Sequence, residues 1–149
     1  MTTTDIPPTA HIARHPIHPM LVPFPIACFV GTLVTDLAYW RTADMMWANF
    51  SSWLLLAGLV MGALAAVAGL TDFLGNRLVR RQNAAWLHMV GNVLVMALSL
   101  LNAFVHSRDG WTAIVPTGLI LSAIVVLILL FTGWQGWTMV YRHRTGIAP

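Results

Sequence analysis

Four apolar runs separated by short polar links leave this chain one way to satisfy its backbone. They extend from about Met20 to Trp40, Ser51 to Leu74, Ala84 to Val105 and Trp111 to Trp134. A helix of roughly 20 residues crosses about 30 Å of hydrocarbon. Inside lipid every N–H and C=O must find its partner within the segment or in a closed barrel. The runs are continuously apolar rather than alternating, so each is expected to be a transmembrane helix. Links as short as 41–50, 75–83 and 106–110 force neighbouring helices to be antiparallel. The expected fold is therefore an all-α integral membrane protein, an antiparallel four-transmembrane-helix bundle over residues 15–141. Residues 1–14 read as a disordered N-terminal arm and 142–149 as a polar C-terminal tail.

Charge supports a membrane and excludes other partners. Charged residues make up only 9 % of the chain, and all eight basic residues are arginines at segment ends. That placement marks topology and is no nucleic-acid signature. Arg14, Arg77, Arg80, Arg81, Arg142 and Arg144 share one side, against Arg41 and Arg108 on the other. The positive-inside rule then puts both termini in the cytoplasm. Tryptophans 40, 47, 53, 86, 111, 134 and 137 fall near the interfaces, as an aromatic belt does. Residues 1–10 lack the basic and short apolar regions of a cleaved signal peptide, so the first helix is expected to be retained.

Cys28 is the only cysteine and every acidic residue is an aspartate. Thiolate zinc sites, cysteine-held iron–sulfur clusters, c-type haem attachment and paired-glutamate chemistry all lose their residues. No nucleophile motif, phosphate loop or dinucleotide fingerprint is present. Whether the chain is an enzyme stays open on these grounds.

The polar residues inside the runs carry the functional signal. In the first run His18, Val22, Pro25, Phe29, Thr32 and Asp36 follow steps of four and three, and in the third His88, Asn92, Val95, Ser99, Asn102 and His106 do the same. Such steps keep residues on one helix face, and a polar stripe in lipid turns inward. The two stripes echo each other, because His88 follows His18 by the interval that separates His106 from Asp36. Pseudo-equivalent hairpins would set His18 and His88 face to face. In the second run Gly58, Gly62, Ala65, Gly69 and Asp72 form a small-residue stripe that permits close helix approach.

His15 and His18 each precede a proline, which favours an extended lead-in to the first helix. In polyproline II they would stand roughly 9 Å apart, too far to share a metal. His18 is instead expected to aim into the bundle. His88 lies about one turn into its helix, where the dipole and burial favour the neutral imidazole that binds metals. His11 and His106 receive no role. Asp72 is expected to orient a ligand histidine by a hydrogen bond.

The opening His15-Pro16-Ile17-His18-Pro19-Met20-Leu21-Val22, followed by Phe24-Pro25-Ile26, resembles the small bacterial membrane proteins grouped as domain-of-unknown-function family 2231. Asp36, Ala57-Gly58, Gly69-Leu70-Thr71-Asp72, His88 and Gly133-Trp134 with Tyr141-Arg142-His143 are similar too. Gly136-Trp137-Thr138-Met139 and Arg144 depart from the pattern that the resemblance leads one to expect. The resemblance implies architecture and no activity.

The leading expectation is a b-type cytochrome-like protein that holds haem b, or another metal, between the first and third helices. His18 and His88 would be the axial ligands, with His15 or His143 as alternatives to His18. Arg14, Arg77 or Arg80 would face the propionates, and electrons would pass to quinone or to a larger membrane redox complex. Two other readings stand beside it: a cofactor-free accessory subunit or homo-oligomer packed in a larger complex, and a proton or metal transport-related protein using Asp36, Asp72 and the histidines.

Overall fold

The computed structural model describes residues 6–12, 15–107, 114–142, 144 and 145. Four long apolar helices, Ile17–Thr42, Met45–Gly75, Asn83–Ser107 and Ile114–Tyr141, are each able to cross a membrane. The first packs on the second and the third on the fourth. The second also meets the third, and the first meets the fourth, so the first and third stand diagonally. This is the expected up-down bundle.

The helices outrun the apolar segments at several ends, for local reasons. The second begins at Met45, inside the expected link, because Asp44 caps it by accepting from Met46 N at 2.9 Å. The first begins at Ile17, which corrects the extended reading of the proline-rich entry. Pro19 sits in the first turn, where a missing N–H costs nothing. Val22 N donates to His18 O at 3.1 Å and Ile26 N to Val22 O at 3.4 Å, so the helix carries through Pro23 and Pro25. His18 is thus helical, while His15 and Pro16 pair with His11 and Ile12 as a small antiparallel ladder.

Glycine sets the helix spacing. A Cβ on Gly58 would lie 2.6 Å from Phe29 Cε1, and one on Gly62 would lie 2.6 Å from Met96 Sδ. The expected close contact of these glycines is therefore made inside the bundle, against the first and third helices. The central layer is Phe29, Leu55, Val95, Val125 and Leu129. The outward faces carry exposed large apolar residues such as Val67, Val93 and Leu127, as a lipid-facing surface requires.

The internal echo extends to burial. A shift of 70 positions carries buried Pro25, Phe29, Thr32 and Asp36 onto buried Val95, Ser99, Asn102 and His106. A shift of 67 carries buried Leu55, Gly58, Gly62 and Ala65 onto buried Ser122, Val125, Leu129 and Thr132. The buried faces of the two hairpins thus correspond position by position, as in a parallel repeat.

The described part of the N-terminal arm lies on the end of the bundle where the chain termini meet. Ile6 is buried with Phe73, Val79 and Ala85, and its N–H donates to Arg144 O at 3.1 Å. Thr9 N and Ala10 N both donate to Asp72 Oδ1 at 2.7 Å.

Candidate functional site: a histidine pair at one end of the bundle

His18 and His88 meet across the diagonal. Their ring centres are 6.0 Å apart and their planes stand at 88°. Each ring is held from its own hairpin in the same way. His18 Nδ1 lies 2.8 Å from Ala65 O on the second helix, and His88 Nδ1 lies 2.8 Å from Thr132 O on the fourth. Ala65 and Thr132 are themselves repeat-equivalent.

One turn further on, glycine makes room for each ring. A Cβ on Gly69 would stand 2.8 Å from His18 Cε1, and one on Gly136 would stand 3.2 Å from His88 Cε1. The backbone carbonyl and the glycine thus act together, one orienting the imidazole and the other admitting it. Asn92 Nδ2 donates to His88 O at 2.7 Å, so it braces the histidine's backbone and does not orient its ring.

The tautomer follows from these partners. A carbonyl oxygen only accepts, so each Nδ1 is the donor and carries the ring proton. The neutral ring then presents a bare Nε2, the form in which imidazole binds a metal. Nothing else among the described residues bonds to either Nε2. Among the described residues no group of three His, Cys, Asp or Glu side chains gathers as a closed metal cage would need.

The other expected site residues fall into place less directly. Asp72 is taken up by Thr9 and Ala10, which makes it the anchor of the arm. Arg80 Nη1 bonds to the carbonyls of Phe73 and Leu74 at the end of the second helix, while Arg77 is exposed. His15 is exposed in the small ladder. Arg14 and His143 lie outside the described residues. On the lipid side of the fourth helix Leu130, Gly133, Trp134 and Trp137 line a shallow, open surface depression, on the segment that holds His88.

The opposite end holds a second polar site, of which the sequence reading used Asp36 only in its transport alternative and gave His106 no role. Asp36 and His106, the repeat-equivalent pair, are in contact, with Nε2 2.9 Å from Oδ1. Ser51 and Ser122 each donate to the same carboxylate at 2.6 Å. His106, given no role from sequence, is thus a buried partner. The signal that could have found it is the repeated interval of 70 positions between the two stripes.

A family of predicted membrane proteins, DUF2231, has a model that matches residues 14–149. No curated protein and no solved structure matches the chain.

Proposed function

We propose that this chain, which belongs to the DUF2231 family of predicted membrane proteins, is a small membrane cytochrome that takes a b-type haem on His18 and His88 and carries electrons. The observation that carries the reading is the matched pair of imidazoles, each with Nδ1 tied to a backbone carbonyl and Nε2 left for a metal. When bound, the haem supplies one-electron chemistry that no side chain here offers.

The chain's own part is positional. Ala65 O and Thr132 O fix the tautomer and swing of the two rings, and Gly69 and Gly136 let the rings sit close to the helices behind them. The apolar layer of Phe29, Leu55, Val95, Val125 and Leu129 excludes water from the middle of the bundle. The same layer interrupts any polar line between the two ends, which favours this reading over a proton path across the bundle. Of the expected arginines that are described, Arg77 is the exposed one that would face propionates, with Arg80 held next to it by helix-end carbonyls. The proposal includes a cytoplasmic side for both termini, from the arginine distribution, and an electron partner that is a quinone or a larger redox complex. The surface depression at Trp134 and Trp137 is where a flat lipid-soluble molecule would come alongside His88's helix neighbour.

The test is an absorbance spectrum of detergent-purified protein expressed with ample haem. A Soret band that is lost in both His18→Ala and His88→Ala, with folding retained, supports the proposal. A colourless wild-type protein, or a His88→Ala variant with an undiminished band, overturns it in favour of a cofactor-free accessory subunit.

A further inference from the structure

Asp36 gathers a donor from every other helix. Ser51 of the second helix donates to Oδ1 and Ser122 of the fourth to Oδ2, both at 2.6 Å, and His106 of the third reaches Oδ1 with Nε2 at 2.9 Å. The side chains of Asp36 and His106 are wholly buried. Asn102 Nδ2 donates to Ser122 Oγ at 2.8 Å, which passes a further donor into the same network.

The other ring nitrogen decides the proton count. His106 Nδ1 lies 2.9 Å from Asn102 O, a backbone carbonyl that only accepts. Nδ1 therefore keeps its proton, and a neutral imidazole has no second one to give. With no proton on the line between Nε2 and Oδ1, two acceptors would face each other across 2.9 Å. The aspartate charge would also lie uncompensated inside the membrane, an expensive arrangement. With one proton there the pair is neutral and every contact runs donor to acceptor. With two, a lone positive charge is buried.

No other charge enters this balance among the described residues. The second helix offers only the Ser51 hydroxyl, backed by Thr35 at 2.7 Å, and the fourth only the Ser122 hydroxyl. On its own helix the next titratable group along the buried face is Tyr39. Arg41 lies exposed over Trp40, and Asp44 is exposed as a helix cap. Two wholly buried atoms on the same face of the third helix, Ser99 Oγ and Asn102 Oδ1, have no partner among the described residues and leave bonding capacity there.

We infer that Asp36 and His106 form a proton-binding site inside the bilayer, which holds one proton between Oδ1 and Nε2 and exchanges it with the side carrying the first and third links. The access side follows from depth. Thr42, the last residue of the helix, lies about 9 Å along the axis from Asp36 at a rise of about 1.5 Å per residue. Among the described residues the small cluster of Tyr39, Ala48 and Ile114, with Met45, Trp47 and Val115 against it, closes that route, whereas the apolar layer blocks the other. On release, the shared proton passes to water on the link side and leaves an aspartate carboxylate beside an imidazole protonated at Nδ1 alone. The inference does not depend on haem.

The test uses the full chain, labelled with ¹⁵N-histidine and reconstituted in nanodiscs, with His106 assigned by its loss in His106→Gln. At neutral pH, nitrogen shifts together with the infrared carboxyl band must account for one proton on the pair beyond the one on Nδ1. In Asp36→Asn the ring is to carry the Nδ1 proton alone. A wild-type protein whose His106 Nε2 is bare while Asp36 is ionised at neutral pH overturns the inference without recourse to any variant at Asp36. In proteoliposomes of known orientation, a pH step on the link side is to move the His106 signal. A response to the terminal side instead overturns the access route.

Discussion

Replacing Asp36 by alanine tests how much of the bundle's stability rests on one carboxylate. The substitution leaves two serine hydroxyls and one imidazole nitrogen, drawn from three different helices, without their acceptor. Inter-helix hydrogen bonds in membranes average about 0.6 kcal/mol each, so three lost bonds alone give roughly 2 kcal/mol. If His106 keeps its charge without its partner, removal of one member of a buried ion pair costs about 3–5 kcal/mol. The ring can instead discard its second proton, which limits the loss. We therefore expect Asp36→Ala to destabilise the protein by about 3 kcal/mol, between those two limits. Asp36→Asn retains the volume, an acceptor for one serine and a donor for a neutral His106 Nε2, and is expected to cost about 1 kcal/mol. Reversible unfolding in mixed micelles, followed by tryptophan fluorescence, measures both. The order wild type, Asn, Ala must hold, with a clear gap before Ala. An Asp36→Ala protein within 1 kcal/mol of wild type by that assay, the size of one ordinary hydrogen bond, would refute the network.

Other substitutions probe the packing and the arm. Gly62→Leu drives a side chain into Met96 Sδ, already 2.6 Å from the position of a Cβ, and is expected to lower stability by about 1–3 kcal/mol in the same unfolding assay. Gly69→Ala and Gly136→Ala should differ although the positions are repeat-equivalent. The first clashes with His18 at 2.8 Å and displaces its ring, while the second meets His88 at 3.2 Å, a shift of a few tenths, offset by alanine's better helix propensity of about 1 kcal/mol. A histidine Nδ1 shift that moves more for His88 in Gly136→Ala than for His18 in Gly69→Ala contradicts this ranking. Asp72→Ala removes the acceptor of the Thr9 and Ala10 amides, so those amides should exchange with deuterium faster and the arm should be cut sooner by protease. Unchanged protection would mean that Ile6 alone secures the arm.

Periodicity and run length made the fold legible, because lipid removes most alternatives. Once each apolar run must be a helix, short links dictate the order of packing, and the inward faces of the first and third helices follow from their polar stripes. The helix ends were not legible in the same way. Asp44 and Pro19 act through local backbone bonding, and a reading based on hydropathy does not see that a cap or an N-terminal proline prolongs a helix beyond its apolar run. The histidine pair was legible from the equal spacing of the two stripes. Its rotation was not, since the carbonyls of Ala65 and Thr132 that fix the rings carry no sequence signature. Asp72 misled for a related reason, because an acidic side chain in a small-residue stripe gives no hint that its partners are backbone amides far away in the chain. His106 was set aside because a lone histidine near a helix end is ordinarily a bystander. Its partner lies on another helix, and only the repeat interval connects them.

The repeat also gives a physical reason for treating the two ends differently. The correspondence of the hairpins brings equivalent positions face to face, so each end begins with a choice between like and unlike residues. At one end the residues are unlike. An aspartate and a histidine complement each other in charge and in hydrogen bonding, and with two serines they complete their own network. Such a site needs nothing from outside except its proton. At the other end the residues are alike. Two neutral imidazoles, each with its proton directed at a backbone carbonyl, have only acceptors left to offer and cannot satisfy each other. An additional proton between them would bury a net positive charge, a poor solution in lipid. The unlike pair is complete within the bundle, whereas each Nε2 of the alike pair keeps its bonding capacity, and for that reason the proposed cofactor is placed at His18 and His88 rather than at Asp36 and His106.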